Sequence, residues 1–293
     1  MQQQTYTRTV DEVVKAELNF HVYGEGSPRV FFTGGIHGGE STGIYVAQRV
    51  MKFIEKNGLL QGSVKVLPIS NPTAFRRLQR SSPYDELDMN RIFPGRDDSS
   101  PTLGVANVIW QEAQDSNYIV DLHCCGVYGA SYTLAIYNEF DFAKDLASKL
   151  AIPRVIESGG IRGQLFVNAC DAGIPAVIIE LPGGGQGGVI DLDAAEECYQ
   201  SLINLLRQLG MVAGEAFQPQ PTFYGKLQPV MTKLEGAFLP CVQPGARVEQ
   251  GQVLGTVEGQ PITSPVTGVT TSVRPASYLF KGNSIANVAP AAE

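Results

Sequence analysis

The sequence Gly-Gly-Ile-His-Gly-Gly-Glu occupies residues 34–40 and sets an imidazole and a carboxylate three positions apart, at His37 and Glu40. The apolar run before it, residues 30–33, predicts a buried strand, and residues 41–57 after it predict a helix. Both side chains therefore fall on a tight strand-to-helix turn, whose glycines let a ligand approach the backbone closely. Such a pair is half of a divalent metal site, although a glycine-rich turn with a solvated Glu and a capping His is the alternative for this motif alone.

Two further apolar strands are predicted to end in a residue suited to metal binding or acid/base chemistry. Residues 118–122 lead into His123, and residues 175–179 lead into Glu180. Sites in parallel α/β sheets assemble at the carboxyl ends of strands. Together with the turn at residues 34–40, these strands supply two histidines, one glutamate and a second glutamate nearby. That set matches the catalytic zinc pattern of three protein ligands and one open position.

The order of these motifs along the chain resembles the succinylglutamate desuccinylase/aspartoacylase family, a branch of the zinc carboxypeptidase-like hydrolases. The resemblance covers most of the chain, including its C-terminal region. The motifs that carry it are Gly35–Glu40, Asn71-Pro72, Asp88–Gly95, Asp121–His123 and Gly173–Glu180.

The resemblance assigns roles to individual residues. It implies one zinc ion per chain, held by His37, Glu40 and His123. It also implies that Glu180 is the general acid/base. Asn90 and Arg91 would bind a carboxylate of the substrate.

One position departs from the family pattern. Aspartoacylase-like members carry an arginine directly after the Asn-Pro pair, where it stabilises the oxyanion, but this chain has Thr73. Arg76, Arg77 and Arg80 follow closely as replacements, and Arg162, in a glycine-rich loop, is a further candidate to reach a substrate anion. The departure favours the branch that resembles N-acetyl-diaminobutyrate deacetylases over aspartoacylase or succinylglutamate specificity.

The strand and helix pattern predicts an α/β fold, and the resemblance implies a zinc carboxypeptidase-like, mixed but mostly parallel sheet flanked by helices. Residues 1–214 are predicted to form this catalytic domain, and the Gln-Pro-Gln-Pro run at 218–221 predicts a linker. Residues 222–293 resemble the hammerhead β-barrel of biotinyl and lipoyl carriers. The hairpin at 257–261 lacks the lysine that such carriers display, so a small all-β domain with a structural or substrate-gating role is expected. The family resemblance implies the gating role, in which this domain narrows access to the zinc.

The amino-acid composition argues against a nucleic-acid-binding protein and against a membrane protein. The 293 residues are 43% apolar and 17% charged, as in soluble globular proteins, and the net charge of −7 argues against nucleic acid as the main partner. Residues 1–10 show no signal-peptide pattern, and no apolar run approaches the roughly 20 residues of a membrane helix. A cytoplasmic enzyme with a small N-acylated substrate is expected, and assembly into a homo-oligomer is left open.

The predicted reaction is hydrolysis of an amide bond, which removes an acyl group from an N-acyl amino acid or a similar small carboxylated amide. Zinc would activate water and Glu180 would carry its proton to the leaving amine. The alternatives are a metallocarboxypeptidase acting on short peptides and, from another class, a non-catalytic metal-binding or carrier module. A cysteine hydrolase built on Cys124 or Cys125 is a third, although small apolar thiols lining a strand end are the expectation.

Overall fold

A computed structural model describes residues 3–97 and 100–292. The strands in chain order are β1 (Gln3–Asp11), β2 (Ala16–Gly24), β3 (Arg29–Gly34), β4 (Ser63–Leu67), β5 (Tyr118–Gly126), β6 (Tyr132–Ala135), β7 (Arg154–Glu157), β8 (Ala176–Gly184), β9 (Val189–Ile190), β10 (Thr222–Tyr224), β11 (Gln228–Met231), β12 (Gly236–Pro240), β13 (Arg247–Val248), β14 (Val253–Val257), β15 (Gln260–Thr263), β16 (Gly268–Val273), β17 (Ser277–Leu279) and β18 (Ser284–Pro290). The helices are α1 (Ser41–Asn57), α2 (Pro72–Phe75), α3 (Pro101–Ala113), α4 (Asp141–Lys149), α5 (Leu165–Asp171) and α6 (Leu192–Gln208), and a 3-10 turn lies at Met89–Arg91.

One large mixed sheet organises the first two thirds of the chain. Its strand order is β1-β2-β4-β3-β5-β8-β6-β7-β10, with β9 paired to β8. The four central strands β4, β3, β5 and β8 run parallel, whereas β2 and β6 pair antiparallel with their neighbours β4 and β8. The predicted mixed, mostly parallel α/β sheet is therefore confirmed. The hairpin of β1 and β2 adds an antiparallel edge to this sheet. Residues 1–10 are mostly polar, so the sequence did not predict strand β1.

Both faces of the large sheet are covered by helices. Phe32 of β3 packs on one side with Val50 of α1 and with α6, while Phe31 packs on the other with Ile109 of α3 and Phe166 of α5. Neighbouring residues of a strand point to opposite faces, so a strand buried on both sides is apolar throughout. Burying one such phenylalanine stabilises the fold by about 1.5–3 kcal/mol. This rigid double layer fixes the strands that carry the site.

Two strands continue past the residues predicted to end them. β5 extends from His123 to Gly126, and β8 extends from Glu180 to Gly184. The expectation that both residues are terminal is wrong because the main chains go on pairing beyond them, Cys124 with Leu181 among others. The consequence is a fixed register in which His123 lies directly beside Glu180.

The C-terminal region forms two four-stranded antiparallel sheets, β11-β18-β16-β13 and β15-β14-β12-β17. The hairpin between β14 and β15 closes through Glu258 and Gly259, within the predicted turn. The short strand β10, at the start of the range predicted as the C-terminal domain, instead pairs with β7 of the large sheet. Among the described residues, no helix is both long and apolar enough to cross a membrane.

Candidate active site

Three predicted ligands converge at the centre of the large sheet. The turn between β3 and α1 supplies His37 and Glu40, and β5 supplies His123. Their candidate ligand atoms all lie within 4.8 Å of one another. Glu40 lies between the two imidazoles, with Oε1 2.8 Å from His37 Nδ1 and Oε2 2.9 Å from His123 Nδ1. All three side chains are buried.

Close main-chain contacts explain why Gly38 and Gly39 of the turn are glycines. A Cβ on Gly38 would collide with the carbonyl of Ala74, and a Cβ on Gly39 would lie 2.6 Å from Gly185 O. The turn therefore packs against two other main-chain segments, and only glycine fits at these two positions. That packing fixes where His37 points.

Two further carboxylates hold the outer faces of the imidazoles. Asp121 Oδ2 lies 2.9 Å from His123 Nε2, and Asp88 Oδ1 lies 3.1 Å from His37 Nε2. Metal-binding histidines commonly use the second ring nitrogen in this way, which fixes the tautomer and the ring orientation. Neither aspartate is assigned a role from the sequence alone. For Asp121 the sequence did hold a signal of contact with His123, because residues two apart on a strand point to the same face of the sheet.

The charge state of the cluster follows from opposing effects. Burial lowers the pKa of both imidazoles, but neighbouring carboxylates outweigh this effect and raise both pKa values. At His123 these carboxylates are Asp121 and Glu40, and at His37 they are Glu40 and Asp88. Burial likewise raises the pKa of Glu40, but the two histidines outweigh it and hold that pKa at about 2. The carboxylate of Glu40 and the two imidazoles therefore stabilise one another's charged forms.

The donor set fits a divalent cation. Although Glu40 Oε2 lies close to His123 Nδ1, it is buried and has no hydrogen bond of acceptable geometry. Leaving a buried polar atom unpaired costs about 1–3 kcal/mol. Two imidazole nitrogens and a carboxylate oxygen, with the outer ring nitrogens already bound, are the ligands that zinc takes in hydrolases.

Glu180 stands next to this cluster on β8. It is paired across the sheet with His123 on one side and with Tyr132 of β6 on the other. Burial raises the pKa of its carboxyl to about 7, and the charge of Glu40 adds to that effect, against an opposing effect of His123. A carboxyl with a pKa near neutrality is suited to both accepting and donating a proton.

A cavity of about 250 Å³ opens beside the cluster. Its lining is mostly polar and comes from both parts of the chain. The residues are His37, Glu40, Arg80, Asn90, Arg91, His123, Cys124, Cys125, Tyr132, Gln164, Glu180, Thr271, Ser272 and Asn287.

The structure separates the predicted substrate-binding residues into two groups. Asn90, Arg91 and Arg80 line the cavity, but Arg76 and Arg162 do not. Arg76 lines a different cleft. Its guanidinium donates to the carbonyl oxygens of residues 14 and 15 at 3.2 and 2.8 Å. Arg162 is exposed. Closeness in sequence to the Asn-Pro pair therefore does not decide which arginine reaches the site.

The two cysteines after His123 line the cavity as thiols. Burial raises the pKa of Cys124 to about 12, and the Glu40 charge adds to it. Burial and the charge of Glu180 raise the pKa of Cys125 well above its usual range. A cysteine nucleophile reacts as the thiolate, so neither residue is prepared for that role.

Comparison with known proteins places these features in a family context. The model of the succinylglutamate desuccinylase/aspartoacylase catalytic domain matches residues 26–209. The N-alpha-acetyl-L-2,4-diaminobutyric acid deacetylase of Halomonas elongata is 30% identical over 248 residues, which cover 80% of this chain and 71% of that protein.

Solved structures show the same fold over nearly the whole chain. An aspartoacylase family protein from Mesorhizobium loti superposes with a TM-score of 0.82 at 21% identity, covering 100% of this chain and 95% of that one. The product-bound ectoine utilization protein EutE (DoeB) from Ruegeria pomeroyi superposes with a TM-score of 0.80 at 23% identity, covering 94% and 89%. These likenesses include the C-terminal sheets.

Proposed function

The chain belongs to the succinylglutamate desuccinylase/aspartoacylase family of amide hydrolases, and on that premise we propose that it is a zinc-dependent deacylase of small N-acyl amino acids. The observation that carries the proposal is the convergence of His37, Glu40 and His123 within 4.8 Å. Glu180 stands beside them in register with His123. The four residues supply ligands and a proton carrier at the wall of one cavity.

The proposed ligands of the zinc ion are His37, Glu40 and His123. When bound, the ion polarises the scissile carbonyl and lowers the pKa of water at the site. Asp88 and Asp121 hold the outer ring nitrogens, and the Nδ1 atoms, which face Glu40, would be left for the ion. Glu40 is the only charged member of the three proposed ligands, so a divalent ion with these ligands would keep one net positive charge.

Glu180 is the proposed proton carrier. As a carboxylate it accepts a proton from the water whose oxygen bonds to the acyl carbon. It then donates that proton to the amide nitrogen as the carbon–nitrogen bond breaks, and a carboxylic acid and a free amine result. Its pKa near neutrality supports both halves of this transfer.

Arg80 is the proposed oxyanion-stabilising residue, in place of the arginine that Thr73 replaces. Its Nε donates to Asp88 Oδ2 at 2.9 Å, and Asp88 in turn contacts His37. The guanidinium is thus tied to the ligand set while it lines the cavity. Thr73 is buried, and its hydroxyl donates to Asn71 Oδ1 at 2.9 Å, so it serves the turn rather than the reaction.

Asn90 and Arg91 are the proposed binding site for the substrate carboxylate. Asn90 Oδ1 accepts a hydrogen bond from Leu165 N at 3.2 Å, which fixes the amide and leaves its NH₂ group for a ligand. Arg91 Nη1 donates to Asn90 O at 2.7 Å, and within the described part of the chain Arg91 is in no ion pair. Its remaining N–H groups match the planar geometry of a carboxylate.

The wall that the C-terminal region adds to the cavity restricts the site and so favours a small substrate, and therefore a deacylase over a carboxypeptidase. The C-terminal region contributes Thr271, Ser272 and Asn287 to the wall, which supports the proposal that residues 222–293 gate the site. The hairpin at Glu258 and Gly259 carries no lysine, so a swinging-arm carrier lacks its attachment point.

A substrate panel tests the function. Purified protein loaded with zinc is assayed for amine release from N-acyl amino acids and, in parallel, from dipeptides and tripeptides. We expect about one zinc per chain and hydrolysis of N-acyl amino acids. Hydrolysis of peptides alone would favour the carboxypeptidase, and stable zinc binding without hydrolysis of either class would favour the non-catalytic alternative.

A further inference from the structure

Part of the cavity wall is a β-bulge in the C-terminal sheets. β16 and β18 pair Thr270 with Val288 and Ser272 with Asn287, which leaves Thr271 as an extra residue on β16. A bulge of this kind redirects side chains, and bulges are frequent next to active sites. Here Thr271, Ser272 and Asn287 all line the cavity.

The bulged strand is fastened to the catalytic part of the chain. Ala130 N donates to Thr271 O at 2.9 Å, and Val273 N donates to Tyr128 O at 3.2 Å. Both partners belong to the segment that follows β5, the strand of His123. Main-chain hydrogen bonds therefore hold this wall at a fixed place relative to the metal ligands.

Ser272 and Asn287 form a pair that leaves donors and an acceptor free. Asn287 Nδ2 donates to Ser272 Oγ at 2.9 Å. The second N–H of Asn287 Nδ2, the hydroxyl proton of Ser272 and the Oδ1 atom of Asn287 then remain for a ligand. If the amide is turned over, Ser272 donates to Oδ1, and the amide NH₂ and a lone pair of Oγ remain instead. In both orientations the pair offers a donor beside an acceptor.

A primary carboxamide is the complement of such a pair, because it carries an acceptor oxygen and N–H donors in one plane. A carboxylate has only acceptors and would leave the acceptor of the pair facing another oxygen. An ammonium has only donors and would leave the donor of the pair unmatched. Ser272 and Asn287 are both partly buried, and a polar group that a bound ligand covers without pairing it is the basis on which polar sites reject near analogues.

The charged residues that line the cavity also favour an uncharged side chain on the substrate. Among the described residues that line it, the only carboxylates are Glu40 and Glu180, and both are used in the proposed chemistry. Of the two arginines, Arg80 is paired with Asp88, and Arg91 is assigned to the substrate's α-carboxylate. Neither an ammonium nor a second carboxylate on the side chain would meet a free opposite charge.

We propose that Ser272 and Asn287 bind a side-chain carboxamide, so that the preferred substrates are N-acyl amino acids of the asparagine or glutamine type. This rests on the proposed deacylase function and specifies its substrate class. It differs from the diaminobutyric acid derivative named for the Halomonas elongata relative, whose side chain ends in an amine.

The first test compares kcat/KM of the zinc-loaded protein for N-acetyl derivatives of asparagine, glutamine, aspartate, glutamate and 2,4-diaminobutyric acid. We expect a carboxamide substrate to exceed each charged one by at least about fivefold, since one unmatched polar group costs at least about 1 kcal/mol. A preference for an acidic substrate or for the diaminobutyric acid derivative overturns the proposal.

Substitutions of Ser272 and Asn287 test whether these two residues cause the substrate preference. Asn287→Leu and Ser272→Ala should each lower kcat/KM for the best carboxamide substrate at least about tenfold, while N-acetyl-alanine, which lacks the recognised group, changes by less than about threefold. Asn287→Asp adds a carboxylate and should shift the preference toward the diaminobutyric acid derivative. Ser284→Ala, on the same strand β18 but outside the cavity lining, is the control. Unchanged substrate ratios in the variants of the pair contradict the assignment.

A binding measurement separates this proposal from the function on which it rests. Zinc-loaded Glu180→Gln, which should bind without turnover, is titrated by calorimetry with N-acetyl-asparagine, N-acetyl-glutamine and the three charged derivatives. Tighter binding of a carboxamide ligand, lost in Asn287→Leu, supports the subsite even if the wild type hydrolyses none of them, which would refute the deacylase. Tighter binding of a charged derivative, or no binding of any, overturns the subsite.

Discussion

Glu180 is a carboxyl whose surroundings oppose its ionisation. Burial raises its pKa to about 7, above the usual value of about 4.3 for an unfolded chain. The folded protein then holds this proton more tightly than the unfolded one does. Stability is therefore lost as pH rises from the unfolded pKa through the folded one. The residue proposed to carry the proton thus weakens the metal-free fold at neutral and alkaline pH.

Glu180→Gln should separate catalysis from stability. Turnover should fall at least about 10²–10⁴-fold because the proton carrier is lost, with zinc content unchanged. Metal-free Glu180→Gln should be more stable than metal-free wild type by about 1–3 kcal/mol at pH 8 and nearly equal to it at pH 4.5. Zinc analysis, steady-state kinetics and urea unfolding at both pH values measure this. Near-normal turnover would refute the mechanism.

Arg91 presents a guanidinium next to the amide of Asn90. Arg91→Lys should raise KM for an N-acyl amino acid and keep the zinc, because an ammonium cannot copy two-point carboxylate binding. Converting the substrate carboxylate to an amide should cost the wild type far more in kcat/KM than it costs the variant. Equal losses in both proteins would assign the carboxylate to another group, with Arg80 the nearest candidate in the cavity.

At the scale of elements, β5 carries both a proposed metal ligand, His123, and the residue that contacts its outer ring nitrogen, Asp121. Asp121→Asn keeps the size of the side chain but removes the charge that faces His123 Nε2 at 2.9 Å. Zinc affinity should fall about 10–100-fold, as is usual when an outer partner of a metal-binding histidine is changed. Competition against a chelator of known affinity measures the change. Unaltered affinity would mean that Asp121 is not part of the metal centre.

The turn between β3 and α1 depends on a close approach of main chains. Gly38→Ala would place a Cβ on the Ala74 carbonyl, so we expect a loss of stability of about 2 kcal/mol or more and weaker zinc binding. Gly159→Ala is the matched control because a Cβ there meets nothing within 4 Å and its φ is not positive. Thermal unfolding of both variants gives the comparison, and equal stabilities would show that the turn tolerates a side chain.

The sequence points to His37, Glu40 and His123 because a glycine turn and polar residues that interrupt apolar runs leave local signals. The structure brings the three side chains together, although β5 continues past His123. The sequence does not predict which nearby arginine faces the site. Arg76 and Arg80 lie in the same segment after α2, and the path of this segment in the fold decides which of the two lines the cavity. Nor does the sequence predict the bulge at Thr271, because a bulge depends on the register between two strands that are far apart along the chain.

At the scale of the whole molecule, the proposed reaction centre and the proposed carboxamide subsite come from different parts of the chain. The large sheet fixes the ligands and Glu180, and the C-terminal sheets complete the cavity through β16 and β18. Main-chain hydrogen bonds to the segment after β5 join the two. If both proposals hold, substitutions in the C-terminal wall should change the preferred substrate and leave the chemistry at the large sheet intact.

One zinc ion at His37, Glu40 and His123 is proposed to make this chain an N-acyl amino acid hydrolase. The most direct test removes metal with a chelator, returns zinc stepwise, and measures hydrolysis of the best N-acetyl amino acid after each addition. We predict no turnover without metal and a linear rise that ends at about one zinc per chain, with no recovery in His123→Ala. Full activity in the metal-free protein, or equal recovery in His123→Ala, would contradict the account.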